Sequence, residues 1–406
     1  MLERTIEAAI RRAARTFPAI LITGPRQSGK TTLLRHRWGR THRFVSLENP
    51  ETRQRALADP IGLLRDHSPP VIVDEIQYVP ELISYVKTAI DEDRKPGQWL
   101  LTGSQHFPVM QGVTQSLAGR VAVLSLLPFS VGEAAGDPRG DAGLDELLET
   151  LLAARGEAPG PRIPLGDWLV RGAYPEVRAN PDVDRNLWCA SYVQTYLERD
   201  VRQITNVGDL NTFERFLRLA AARTGGILNY SELGRDAGVS APTARQWISV
   251  LEASGQIFLL QPYFKNFGKR LIKSPKLYFL DTAIAAFLMG LHAPEPILGG
   301  PLAGAFVETA VVSGWVKAFQ HRGEPPTLYF WRSRDGLEVD LLIDRNGRLH
   351  PIEVKATATV TPRHADALQR WRALAGESAT PGLIFADIDA PRSVVPGVRA
   401  VPWWRV

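Results

Sequence analysis

Short apolar runs punctuate the first third of the chain at nearly even spacing. Ile20–Thr23, Phe44–Leu47, Val71–Asp74, Leu100–Thr102 and Val121–Leu124 are rich in Val, Ile and Leu, and turn or charged residues bound them. Runs of that length read as buried strands, and helical stretches separate them. The alternation predicts an α/β fold over residues 1–135, a parallel sheet covered by helices. Gly132–Pro164 is rich in Gly, Pro and Ala and holds one helical stretch, Leu144–Ala154, so it reads as a linker or insertion. From Trp168 the pattern turns helical, interrupted by Arg171–Glu176. Trp188–Ile204 then predicts one long helix bearing Tyr192, Tyr196, Glu198, Arg199 and Asp200. Residues 136–205 thus form a linker and a small helical lid.

Residues 206–290 carry a different signature. Ser231 is expected to cap a helix over Glu232–Ala237, Gly238-Val239-Ser240 makes a turn, and a second helix spans Ala241–Ser254 with Trp247, Ile248 and Leu251 inward. A strand follows at Ile257–Leu260. Helix–turn–helix and hairpin together predict a winged helix. Thr243 and Arg245 on its second helix, with Lys265, Lys269, Arg270 and Lys273 at the hairpin tip, are candidate DNA contacts. Use of the same unit for protein contacts is the alternative. Residues 291–406 add a helix, Ala305–Phe319, a strand, Leu328–Trp331, a hairpin of Glu338–Ile343 with Leu349–Lys355, a helix, Pro362–Ala375, and a strand, Gly382–Phe385.

Candidate chemistry concentrates at two places. Gly24-Pro25-Arg26-Gln27-Ser28-Gly29-Lys30-Thr31 fills every fixed position of G-x-x-x-x-G-K-[ST], between a strand and a helix that opens at Thr31 and Thr32. Such a turn aims backbone N–H groups and a helix N-terminus at a phosphate. Lys30 is placed for the β- and γ-phosphates and Thr31 for a magnesium ion. The strand Val71–Asp74 ends in Asp74, a second candidate for the magnesium ion, and Glu75, a candidate to polarise the attacking water. Ser104 is the first choice for a group sensing the γ-phosphate and Thr102 the second. Arg120 is placed either as a finger reaching a neighbouring subunit's nucleotide or as an ordinary cation at a helix C-terminus.

The second place is the C-terminal hairpin. Asp340, Glu353 and Lys355 follow a D-x(n)-[DE]-x-K arrangement, and Glu353 and Lys355 share a strand face. Two carboxylates, with Glu308 completing the set, suit a magnesium ion, and Lys355 suits a phosphate or the attacking water. A solvated polar face on a half-buried hairpin has the same spacing.

Bulk composition adds little to this. With 48 Lys and Arg against 43 Asp and Glu, the chain is mildly basic, which favours an anionic partner. The lone cysteine, Cys189, rules out an internal disulfide and a cysteine-rich zinc site, and reads as a buried small hydrophobe. Met1–Phe17 is an amphipathic, arginine-bearing helix without the apolar core of a secretory signal. No apolar run is long enough to span a membrane, so no membrane partner and a cytoplasmic location are expected.

With Thr23–Thr32, Asp74–Gln77, Leu101–Ser104, Leu117–Val121, Arg171–Glu176, Tyr196–Asp200 and Glu338–Lys355 in place, the chain resembles a prokaryotic AAA-family (AAA+) P-loop ATPase. The resemblance includes a C-terminal domain of the formerly uncharacterised type. It implies ATP and Mg2+ as cofactors, assembly into a ring or other homo-oligomer, and a winged helix followed by a restriction-nuclease-like α/β domain. Gln105, His106 and Phe107 depart from the small serines expected after the sensor strand. The leading expectation is an oligomeric motor or remodeller acting on DNA. The rivals are a nucleotide-dependent signalling switch with an inactive nuclease-like domain, and a nuclease regulated by the ATPase.

Overall fold

The computed structural model describes residues 2–103, 117–138, 140–155, 163–197, 210–263 and 273–406. Ser104–Phe107, Glu198–Asp200, Lys265, Lys269 and Arg270 lie outside these residues. The first sheet contains β1 (Ala19–Thr23), β2 (Arg43–Ser46), β3 (Val71–Asp74), β4 (Trp99–Thr102) and β5 (Val121–Ser125) in the order β2-β3-β4-β1-β5. Every pairing is parallel. The three inner strands are buried along their whole length, because helices cover both faces.

Alternation along each inner strand divides the apolar residues between two cores. Leu21, Val73 and Leu101 face one cluster with Ile83, Val86 and Ile90 of the helix Leu82–Glu92. Ile20, Ile22, Ile72 and Leu100 face the other, with Leu33 and Leu34 after the phosphate loop and Ile6 and Ile10 of the N-terminal helix. That first helix is shorter than expected, Ile6–Ala13. The sheet order matters for the site. β4 separates β1 from β3, so the end of β4 stands between the two nucleotide motifs.

The rest of the chain builds a second, mixed sheet. Its strands are β6 (Gly226–Ile227), β7 (Ile257–Pro262), β8 (Lys276–Phe279), β9 (Leu328–Arg332), β10 (Glu338–Arg345), β11 (Arg348–Lys355), β12 (Gly382–Ala386), β13 (Arg392–Val395) and β14 (Val398–Pro402). They lie in the order β13-β14-β12-β11-β10-β9-β7-β8-β6. β7 pairs parallel with β9 through Gln261 opposite Tyr329 and Pro262 opposite Phe330. The two stretches read as residues 206–290 and 291–406 therefore share one sheet. They also share one core, which runs from Leu127 to Trp403 and includes the helix Ala303–Gln320. A smaller cluster around Trp331, Leu368 and Trp371 fills the opposite face beneath Asp366–Ala375.

Three local expectations change. The long helix of Trp188–Ile204 begins earlier, at Arg185, where Asp184 caps it, and gives way at Val193–Leu197 to a π-helical turn. The helix after residue 229 is capped by Asn229, whose side chain accepts from the N–H groups of Ser231 and Glu232. Ser231 is already inside the helix. Past Phe385 the chain adds the β13–β14 hairpin and a final turn at Trp403–Arg405. No helix among the described residues is long and apolar enough to cross a membrane.

Candidate functional site

The turn from β1 into the helix Lys30–Trp38 needs its glycines. Gly24 has φ 145, and a Cβ there would stand 2.1 Å from the Leu126 carbonyl oxygen. Gly29 has φ 94 at the helix N-cap. Gln27 also lies in the left-handed region, at φ 60. The loop closes around the Lys30 amine, which donates to the carbonyls of Gly24 (3.1 Å) and Pro25 (2.8 Å). Arg26, Gln27, Gly29, Lys30, Thr31, Thr32, Glu48 and Glu75 line a cleft of about 220 Å³ at this turn. Pro25 and Ser28 complete the loop, and Ser28 is fully buried.

Asp74 ends β3 beside that cleft. Its Oδ1 accepts from the hydroxyls of Thr31 (2.7 Å) and Thr102 (2.6 Å), and its Oδ2 from Ser46 (3.3 Å). Thr102 also accepts from the Glu75 N–H at 3.0 Å. One hydroxyl at the end of β4 thus ties the two acidic residues together. Glu75 itself has φ 58, which turns its side chain out of the strand direction and toward the cleft. Its carboxylate accepts from Gln77. A buried carboxylate and a hydroxyl at 2.7 Å are hard oxygen donors of the kind magnesium takes, so Thr31 and Asp74 fit that ion. Ser46 and Glu48 were not anticipated. Their signal is position: they end or follow β2, the strand next to β3.

Comparisons agree with this geometry. Residues 16–135 match the AAA domain family, residues 164–295 a domain of unknown function (DUF8612), and residues 303–406 another (DUF4143). The uncharacterized proteins Rv2008c of Mycobacterium tuberculosis and Mb2031c of Mycobacterium bovis are each 31% identical to it over 362 residues, covering 88% of this chain and 75% of theirs. The chain belongs to their family. It is a P-loop protein of the AAA type with a DUF4143 domain after it. Among solved structures, the Walker-type ATPase PABY2304 of Pyrococcus abyssi is 15% identical with a TM-score of 0.45, over 71% of this chain and 96% of its own. The RuvB Holliday junction branch migration motor of Thermotoga maritima is 18% identical with a TM-score of 0.27, over 63% and 86%.

Arg120 of the AAA domain lies away from the cleft. Its carbonyl accepts from Ala19 N at the start of β1, the sheet edge opposite the phosphate loop. Its guanidinium holds Asp91 through Nε at 2.6 Å and Nη2 at 3.1 Å, and keeps that carboxyl below its usual range. From there it serves no nucleotide of its own subunit, and a role toward a neighbour's requires the Asp91 pair to open.

In the DUF4143 domain the expected acidic residues do gather, but around a lysine. Lys276 of β8 reaches Glu308 (2.9 Å) and Glu338 (2.6 Å), and Tyr278 donates to the same Glu308 carboxylate. Asp340 accepts from Val354 N at 2.8 Å, and Glu353 pairs with Lys355. Burial, reinforced by Asp340, pushes Glu308 up to about 7 and Glu353 up to about 8. Burial also raises Asp340. Among the described residues no three His, Cys, Asp or Glu side chains are grouped as metal ligands, and the buried Lys276 ammonium lies against Glu308 and Glu338. Lys276 was legible as the one cation in the fully buried strand Lys276–Phe279.

On the helix–turn–helix stretch, Thr243 is bound to its own cap, with its N–H 3.2 Å from Ser240 Oγ. Arg245 stacks over the Tyr230 ring at 4.6 Å. Arg245 and Tyr230 line a groove of about 810 Å³ together with Asn229, Gln246 and Ser249. Lys273, the one hairpin-tip cation among the described residues, is exposed. Cys189 is buried, which pushes its thiol up to about 12.

Proposed function

We propose that the chain binds ATP with Mg2+ at the phosphate loop, hydrolyses it, and uses the cycle to move or reshape DNA as a homo-oligomer. The observation that carries the nucleotide reading is the shared hydrogen bonding of Thr31, Asp74, Thr102 and Glu75, which puts the ion's donors and the base in one frame. In this reading Lys30 and the backbone N–H groups of residues 26–32 bind the phosphates. Thr31 and Asp74 hold Mg2+, which neutralises charge on the β- and γ-phosphates. Glu75 takes the proton of the attacking water, and Thr102 fixes the Glu75 backbone. Ser104 completes the sensing of the γ-phosphate.

The DNA part rests on the basic balance of the chain and on the groove around Arg245, a cation held over an aromatic ring. In this reading Lys265, Lys269, Arg270 and Lys273 supply further phosphate contacts, with Thr243 at the start of the second helix. Steady-state ATP turnover with and without single-stranded, duplex and branched DNA tests it: stimulation by one of them supports the motor, and indifference to all three removes DNA from the reading. A nucleotide-dependent switch is the second reading. The Arg120–Asp91 pair favours it, because an arginine held on its own subunit's Asp91 gives a neighbour's nucleotide no finger and so slows turnover.

A further inference from the structure

Arg4 precedes the first helix and belongs to no nucleotide motif, yet it reaches the phosphate loop. Its Nη1 donates to the Ser28 carbonyl (3.0 Å) and its Nη2 to the Leu127 carbonyl just past β5 (2.6 Å). The guanidinium also lies 4.6 Å from the centre of the Phe129 ring. One planar fork therefore pins the loop to the neighbouring strand, a geometry that the point charge of a lysine does not reproduce.

The fork is held from the far side. Glu133, wholly buried, lies 3.3 Å from Arg4 Nε. Burial opposes its charge, but Arg4 beside it keeps the carboxyl well below the usual range. The same carboxylate accepts from Thr5 N at 2.7 Å and Ser130 N at 2.8 Å. His321 follows, its Nδ1 3.1 Å from Glu133 Oε1. The Leu127 N–H donates to His321 Nε2 at 3.1 Å, so Nε2 is the bare nitrogen and the ring proton sits on Nδ1, the nitrogen next to Glu133. His321 ends the helix Ala303–Gln320, the first helix of the DUF4143 domain. Next to it, Arg12 donates to the Arg322 carbonyl at 2.8 Å.

We propose that Arg4 is a positioning residue for the phosphate loop, and that the DUF4143 domain sets its place through Glu133 and His321. The proposal rests on the reading that this loop binds nucleotide. A chain of buried, mutually dependent groups has few arrangements that leave no charge unpaired. A shift of the helix end carrying His321 therefore reaches Ser28, and nucleotide in the loop favours the docked helix in return.

Arg4→Lys keeps the charge beside Glu133 but loses the fork. His321→Leu removes the link at similar size, and His321→Asn keeps a donor toward Glu133. Leu368→Ala, in the separate cluster beneath the second sheet, reports lost stability alone. Two quantities are measured: affinity for a fluorescent ATP analogue, and amide hydrogen exchange over residues 26–31 in the nucleotide-free protein. Arg4→Lys and His321→Leu are expected to weaken the analogue about ten-fold and to speed exchange by a similar factor, with His321→Asn staying within about three-fold of wild type. Leu368→Ala, at matched loss of Tm, leaves both unchanged. Wild-type exchange over residues 26–31 in both Arg4→Lys and His321→Leu overturns the proposal, as does Leu368→Ala reproducing their effect. If the wild type binds no nucleotide, the proposed function fails on its own, and the exchange comparison still decides whether Arg4 positions the loop.

Discussion

Thr102 carries two obligations with one hydroxyl, donating to Asp74 and accepting from the Glu75 N–H. Thr102→Val keeps the shape and leaves that N–H buried without a partner, a loss of about 1–3 kcal/mol. Chemical denaturation should show a loss in that range, and turnover should fall further than nucleotide affinity because Glu75 loses its anchor. Glu75→Gln should bind nucleotide and stop hydrolysing it, and Lys30→Ala should not bind. Turnover of Glu75→Gln at the wild-type rate would remove Glu75 as the base. A pH series reads the other buried acids. Glu353, held up to about 8 against an ordinary 4.5, binds its proton more tightly folded than unfolded. Its stabilisation is complete below pH 4.5 and is lost as pH rises through about 8, so Tm should fall across that window. Glu353→Gln, an uncharged stand-in, should flatten the fall; an unchanged slope would place the titration elsewhere. The sequence showed Asp74 and Glu75 because they end an apolar run. It did not show Thr102 as their joint anchor, since that depends on which strand lies between two others.

Elements with local rules were the legible ones. The phosphate loop needs glycine at left-handed positions, so spacing alone located it. The β10–β11 hairpin has Asn346 and Gly347 at its turn, both at positive φ, and alternation did the rest. Elements that depend on tertiary neighbours were hidden. β6 is a two-residue strand at the sheet edge paired with β8, and β13 is a half-exposed run beside β14. The helix start at Asn229 was misread by two residues because Ser231 is also a good cap by type, and only the backbone decides between them. Asn229→Ala should therefore cost about 1 kcal/mol in urea denaturation, while Ser231→Ala should cost only a few tenths. A larger loss for Ser231→Ala than for Asn229→Ala would return the cap to Ser231.

At the scale of the whole molecule, the shared sheet forbids a simple dissection. A fragment of residues 206–290 would uncover the β7 edge that pairs with β9 and the core face that packs against Phe306, Val307 and Val311. It should be insoluble or lack cooperative unfolding, whereas a fragment of residues 206–406 keeps the sheet intact. A soluble, cooperatively melting 206–290 unit would show that the two parts are independent. Lys276 within the carboxylate cluster has a matching consequence. The wild type should not nick DNA with magnesium or manganese, and Asp340→Ala should lower Tm without changing any nuclease readout. Metal-dependent nicking that Asp340→Ala abolishes would make Glu308, Asp340 and Glu353 a metal centre. The hydrogen bond from Leu127 to His321 spans 194 residues, and that from Arg12 to Arg322 spans 310. Contacts between such distant points close last, since loop entropy must be met before they form. On the ribosome the phosphate loop emerges early, long before the helix that holds its brace has been translated. A nascent chain thus carries the motif without its support until the helix Ala303–Gln320 and His321 have left the ribosome.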